Sequence, residues 1–192
     1  MIICISGLTG CGKNTVGRLV AKRLKLRMVE PTFKSIAAKQ GISLLEFQKQ
    51  AEEKHSIDRQ FDAALLAEVG SGNCVVTTWL GSWVVKNADL KVWLYATPKA
   101  RAARIAKRDG MNEDEAFAHV FERDNGNRKR YLDVYGIDIF DHSQFDLVIN
   151  TEKNKPEDSA KLIIEAARKT SRGKKAGIKK PAGKKSKSEK KR

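Results

Sequence analysis

The sequence predicts a doubly wound α/β domain, a parallel sheet with helices on both faces, and three observations carry that prediction. The chain opens on an apolar run, IICIS, which breaks into the glycine-rich GLTGCGKNT and continues as a helical pattern. Two further runs, Cys74 to Thr77 and Val92 to Tyr95, are short, β-rich and nearly continuously apolar, as strands covered on both faces are. Helical patterns lie between them, and this alternation feeds parallel strands through crossover helices.

The elements follow in order. Ile2 to Ser6 is the first strand, and from Lys13 onward Val16, Leu19, Val20, Ala21 and Leu24 recur at helical spacing. Leu26 to Val29 forms a second strand, stopped by Pro31. Ser43-Leu44-Leu45-Glu46 is a capping box that opens a helix carrying Phe47 and Ala51. Ser56 starts another helix through Phe61, Leu65, Leu66 and Val69, ended by Gly70-Ser71-Gly72. Pro98 begins a helix that reaches Arg108, and Asn112 with Glu115 caps the next. Asp146 to Asn150 gives the last strand, before a helix from Pro156 to Arg168.

With 192 residues, 41% of them hydrophobic, the chain has material for one domain with a sizeable core. No apolar run approaches the ~18 residues of a membrane span. The apolar stretch after Met1 lacks the basic segment and cleavage site of a secretory signal, so the expected setting is cytoplasmic, without membrane contact. Cys4, Cys11 and Cys74 are odd in number and lack metal-ligand spacing; they read as reduced thiols, Cys4 and Cys74 as small core residues in strands.

The charge is uneven. From Thr170 to Arg192 eleven lysines and arginines face the single Glu189, so this segment carries +10 of the chain's +15. Ile178 is its only large apolar side chain, too little to offset the entropy of ordering, and residues 170–192 are expected to form a disordered tail behind a domain of residues 1–169. Lysine runs bind polyanions by releasing counterions, which points to RNA or ribosome contact; a purely solubilising tail is the other reading.

Strand, G-x-x-x-x-G-K, helix is the order that holds a phosphate. Glycines let backbone N–H groups converge on the anion, the helix start adds a positive field, and lysine supplies charge. Gly7, Leu8, Thr9, Gly10, Cys11, Gly12, Lys13, Asn14 and Thr15 form that loop, an ATP-binding segment, but Asn14 stands where the strict pattern has the Mg²⁺-binding hydroxyl. The loop resembles that of adenylate-kinase-like nucleoside monophosphate kinases, which ends G-K-G-T. By that resemblance Thr15 matches the threonine and is the expected Mg²⁺ ligand, while Asn14 replaces a glycine.

Phosphoryl transfer needs cations around the moving group more than covalent help. In ARAARIAKRDG, Arg101, Arg104 and Arg108 repeat at i, i+3 and i+7, which places three guanidinium groups on one helical face. Beyond a turn at Gly110, Arg123, Arg128 and Arg130 approach from a second helix, and the pair reads as a lid over a triphosphate.

GLTGCGKNT, EFQKQAEEKHSIDRQFD, RAARIAKRDG and RKRYLDVYGIDIFDHSQFDLVIN together resemble the archaeal-type cytidylate kinases, a compact branch of the nucleoside monophosphate kinases, over residues 1–169. The resemblance implies a P-loop kinase fold with a monophosphate-binding region at residues 31–69 and a lid at 101–130. It implies transfer of the ATP γ-phosphoryl group to CMP or dCMP, with Mg²⁺. Carried over by position, Lys13, Arg104, Arg108 and Arg123 are the catalytic cations, and Arg130 joins the loop at ATP. Phe33, Lys34, Arg59 and Trp79 fall on the acceptor side. Tyr135 to Ile137 read as packing.

The acceptor side departs from the family pattern. Glu30-Pro31-Thr32 replaces a Gly-Asp before Phe33, and Lys34 replaces an arginine whose fork a lysine cannot reproduce. Asp62 is followed by Ala63 and Ala64 instead of basic residues, Thr77-Thr78-Trp79 replaces Glu-Gly-Arg, and Gly126-Asn127 replaces Ser-Glu. Each lost charge-assisted contact costs on the order of 1.5–3 kcal/mol. Trp79 and Trp83 stand at the acceptor side, where such rings either stack on a base or pack the core; one is expected in the core, and both readings stay open for the other. Beside the kinase stands a second reading, a kinase-derived ATP-binding protein or ATPase with an altered acceptor site that acts in RNA- or ribosome-associated regulation.

Overall fold

The computed structural model describes residues 1–31, 37–38, 41–42, 56–70 and 72–176; for Ser56 and residues 172–176 it describes the backbone. The Ser43 capping box, Phe33, Lys34 and residues 177–192 of the basic tail lie outside the described residues.

The described chain runs β1 (Ile2–Ser6), α1 (Lys13–Leu24), β2 (Arg27–Val29), α2 (Ser56–Val69), β3 (Cys74–Val76), α3 (Gly81–Val84), β4 (Leu90–Tyr95), α4 (Pro98–Asp109), α5 (Glu113–Tyr135), β5 (Leu147–Asn150) and α6 (Pro156–Ala176). The five strands form one parallel sheet in the order β2-β3-β1-β4-β5. β1 is central, with Ile3 opposite Val75 on one side and Leu90 on the other. The chain first builds outward on the β3 side and then crosses to β4, so the strand order reverses at β1, where open α/β sheets bind ligands at their carboxyl ends.

Strand alternation divides the core into two layers. Ile3, Ile5, Val75, Val92 and Leu94 pack with Val16 and Val20 of α1 and Ile163 of α6. Ile2, Cys4, Val29, Cys74 and Val76 pack with Leu65 and Val69 of α2 on the opposite face. Both faces being covered is the reason these strands read as continuous apolar runs. Cys4 and Cys74 are buried free thiols, and burial pushes the Cys4 thiol up to about 12.

Local signals set the helix ends. The Thr97 hydroxyl accepts from the Ala100 N–H with Pro98 at the first position of α4, and Gly110 closes that helix in the left-handed conformation. The Asn112 side chain accepts from the Glu115 N–H at 2.8 Å to open α5. Ala102 and Ile105 of α4 meet Ala116 and Val120 of α5, so the two arginine-bearing helices form one packed hairpin.

Two elements differ from expectation. α3 is a single turn without sequence periodicity; its Trp83 is buried edge-on to Trp93 and Phe145, so tertiary packing fixes it. α6 runs past Arg168 to Ala176, so the first seven tail residues, 170–176, are helical. Thr170 and Ser171 donate to the Ala166 and Ala167 carbonyls at 3.2 and 3.0 Å, which satisfies their hydroxyls within a helix whose preceding turns are anchored in the core by Ile163 and Ala167. Among the described residues no helix is long and apolar enough to cross a membrane.

Candidate active site

The loop between β1 and α1 turns at residues that only glycine suits. Gly10 sits at φ +79°, where a Cβ would come within 2.8 Å of the Arg101 carbonyl oxygen, and Gly12 at φ +91° caps α1 in the left-handed region. The Cys11 N–H bonds the Leu8 carbonyl and the Val16 N–H bonds that of Gly12. The amides at the start of α1 and its macrodipole provide the field that favours an anion.

Lys13 is half-buried at the first position of α1, and its Nζ lies 5.6 Å from the centre of the Trp79 ring. Burial pulls the ammonium below the usual lysine range; the charges of Arg123 and Arg108 pull the same way, and Asp124 opposes them. The loop lysine and two of the expected lid cations therefore share one field. Arg108 is exposed, its guanidinium held by both oxygens of its neighbour Asp109 at 2.6 and 2.7 Å, and Arg123 is exposed on α5.

Arg101 corrects the reading of three arginines on one open face. It is 2% exposed and pairs with Asp124 at 2.7 Å while donating to the Ala96 and Thr9 carbonyls. It braces the phosphate loop from beneath. Arg104 lies between these extremes: it donates to the Gly10 carbonyl at 3.3 Å and to the hydroxyl and carbonyl of Thr151 at 3.0 and 2.7 Å. Arg104, Thr151, Asn154 and Ser159, with Gly12 and Thr15, line a cavity of about 220 Å³ beside the loop.

Arg130 faces α2. Its Nε is 3.6 Å from the Asp58 carboxylate and its Nη2 donates to Asn127 and the Tyr131 hydroxyl. Tyr135 also reaches α2, donating its hydroxyl to Asp62. Burial pushes the Asp62 carboxyl up, with Asp58 adding to the shift and the Tyr135 bond opposing it. Arg59 is exposed on α2; Trp79 is half-buried, 6.4 Å from Tyr131, whereas Trp83 is the core tryptophan.

Hard oxygen atoms suited to Mg²⁺ lie at the first turn of α1, on Asn14 and Thr15, and at the end of β3, where the Thr77 and Thr78 hydroxyls are buried without a hydrogen-bond partner among the described residues. No group of three or more His, Cys, Asp or Glu side chains gathers for a metal among the described residues. This donor set fits an ion that keeps most of its waters and is shared with phosphates.

Spacing along the chain did not point to Asp124, Thr151, Asn154 or Ser159. Thr151 carried a usable signal, since it directly follows the last strand, at the carboxyl edge where ligands gather. Asp124 carried none, because its partner lies on another helix.

A phosphate loop on the central strand of a parallel sheet, with a cationic helical hairpin against it, defines a P-loop kinase. The fold agrees with solved structures: shikimate kinase from Bacteroides thetaiotaomicron superposes with a TM-score of 0.61 at 17% identity, covering 88% of this chain and 98% of that one. A gluconokinase from Sinorhizobium meliloti superposes with a TM-score of 0.58 at 13% identity, covering 92% and 96%.

The chain belongs to the cytidylate kinase-like family, whose model matches residues 2–153. It is 45% identical over 169 residues to the cytidylate kinase of Pyrococcus horikoshii, spanning 87% of this chain and 88% of that one. It is 40% identical over 168 residues to that of Pyrobaculum arsenaticum, spanning 86% and 91%.

Proposed function

We propose that this protein is a cytidylate kinase, transferring the γ-phosphoryl group of ATP to CMP or dCMP. The observation that carries the reading is the glycine-turned phosphate loop with Lys13 at the head of α1, its Thr9 and Gly10 carbonyls held by Arg101 and Arg104 of the adjoining helix. The names of its relatives supply the acceptor.

In this reading the loop amides and Lys13 hold the β- and γ-phosphates, and the cavity at Arg104, Thr151 and Asn154 takes the adenosine. An oxygen of the CMP phosphate attacks the γ-phosphorus as the bond to the β,γ-bridging oxygen breaks, and ADP leaves with that electron pair. Arg108 and Arg123 neutralise charge on the moving group. When bound, Mg²⁺ would supply further neutralisation of phosphate charge, and Asn14 and Thr15 are the side chains that would hold it. Arg59 and Trp79, with Phe33 and Lys34, form the acceptor side; Arg130, drawn to Asp58, belongs with this side more than with ATP. Soluble nucleotides as substrates suit a cytoplasmic enzyme.

ADP release measured with CMP, dCMP, UMP, AMP and GMP, beside ATP alone, tests the assignment. Turnover is expected with CMP and dCMP. Consumption of ATP at the same rate with and without any monophosphate would overturn it in favour of an ATPase.

A further inference from the structure

α1 and α6 run side by side in one direction. Each follows a strand of the parallel sheet, they share the core through Val16, Val20, Ile163 and Ala167, and their first turns meet where Thr15, Val16 and Ser159 line the cavity beside the phosphate loop. Both helices climb about 1.5 Å per residue, so Arg168 and Lys169 lie level with the end of α1. There Lys22 and Arg23 of α1 and its cap residue Lys25 are exposed, as are Arg168 and Lys169.

These five cations mark the end of the molecule remote from the phosphate loop. Among the described residues Ala167 is the last of α6 to be buried in the core, yet the helix continues to Ala176, ~25 Å from Ser159 by its rise. From Arg168 to Arg192 thirteen lysines and arginines face one acid, Glu189. Of the acids at this end, Asp89 accepts from the Ile2 N–H and lies 4.0 Å from the terminal ammonium of Met1, and Asp146 accepts from the Lys91 N–H. Glu165 stands one turn before Lys169, and Glu68 is exposed at the end of α2, on the other face of the sheet.

Cations at a helix end suit its dipole, but that effect fades within the last turn. It does not require two helix ends and a lysine-rich segment to gather on one side of the molecule. Beyond Ala167 the sequence holds one large apolar side chain, Ile178, and no aromatic ring. It offers neither the apolar face that a bilayer takes up nor a platform for base stacking. Charge on long side chains remains, the chemistry that meets a hydrated phosphate backbone.

We propose that Lys22, Arg23 and Lys25 with Arg168 and Lys169 form a docking surface for the phosphate backbone of a nucleic-acid duplex. The lysine-rich segment that follows α6 adds its charge to the same contact. The surface lies at the opposite end from the phosphate loop, so a bound duplex leaves the nucleotide site open. The proposal stands apart from the kinase reading.

The test is the fluorescence anisotropy of a labelled RNA duplex, beside a DNA duplex of the same sequence, titrated with the full-length protein at several salt concentrations. Binding that weakens steeply with salt is expected; binding of one duplex alone supports the surface and names its ligand. The full-length triple variant Lys22→Gln, Arg23→Gln, Lys25→Gln is expected to bind about tenfold more weakly, with a logarithmic salt slope shallower by roughly 2 to 3. Its thermal unfolding and its nucleotide turnover are expected to match the wild type, and saturating ATP with CMP is expected to leave the duplex bound. Absence of salt-dependent binding to either duplex, wild-type affinity in the folded triple variant, or displacement of the duplex by ATP would overturn the proposal. Binding to phosphatidylglycerol vesicles but to neither duplex would overturn it in favour of a membrane surface.

Discussion

The Arg101 guanidinium meets the Asp124 carboxylate at 2.7 Å with both side chains buried, and the same guanidinium donates to the carbonyls of Thr9 and Ala96. One cation thus joins the phosphate loop, the end of β4 and α5. Nothing in this contact leaves Arg101 free to meet a phosphate.

Removing one partner of that pair strands a buried charge. Arg101→Met is expected to cost about 3–5 kcal/mol of stability, because Asp124, whose carboxyl burial already pushes up, loses its counter-ion. Arg101→Met combined with Asp124→Leu is expected to recover most of that loss. Urea unfolding of the two variants checks it; equal losses would show that the pair is not coupled.

Arg104 and Arg108 should separate kinetically. Arg104 holds Gly10 and Thr151 around the cavity, so Arg104→Ala is expected to raise the KM for ATP as well as lower kcat. Arg108 is 62% exposed and braced only by its neighbour Asp109 among the contacts described, so Arg108→Ala is expected to lower kcat with little change in KM. Steady-state kinetics with each variant decide between them, and a pure KM effect at Arg108 would place it in ground-state binding.

The Lys13 ammonium lies over the Trp79 ring, 5.6 Å from its centre. Drawing the ammonium to a triphosphate is expected to change tryptophan emission when ATP is added, and Trp79→Phe to remove most of that change, since Trp83 and Trp93 are buried against each other. Lys13→Ala is expected to abolish phosphoryl transfer with the fold intact. Fluorescence titration beside the kinase assay reads both; a full signal from Trp79→Phe would show that the contact does not respond to nucleotide.

His142 packs on Trp93 with ring centres 4.3 Å apart, and its Nε2 is buried without a partner among the described residues. Burial holds the imidazole below its ordinary value against the pull of Asp141 and Asp138. The unfolded chain takes up this proton near pH 6.5 and the folded chain only at lower pH. The stability tied to neutral His142 is therefore present above that pH and lost as pH falls toward the folded value. Unfolding midpoints compared between about pH 7.5 and about pH 5.5 should fall in the wild-type protein and fall less in His142→Phe; identical slopes would remove His142 as the cause.

Spacing along the chain settled the sheet's strands, the phosphate loop, the Asn112 cap and the arginines of α4, because a helical face, a cap or a glycine turn involves residues within a few positions of one another. Spacing also placed Arg101, Arg104 and Arg108 on one helical stripe, yet it could not divide their work. That division came from what each met in space: a buried carboxylate on α5, the backbone of the loop after β5, and an adjacent aspartate beside solvent. The same holds at Asn14, whose mismatch to the phosphate-loop pattern was plain in the sequence but whose partner Glu30 follows a different strand. Trp83 and the one-turn α3 likewise depend on Trp93 and Phe145. A side chain's type and period are local properties, whereas its charge state, orientation and partner depend on which faces the crossover connections bring together. For that reason the phosphate loop was readable from the chain, and the roles of the cations around it were decided by packing.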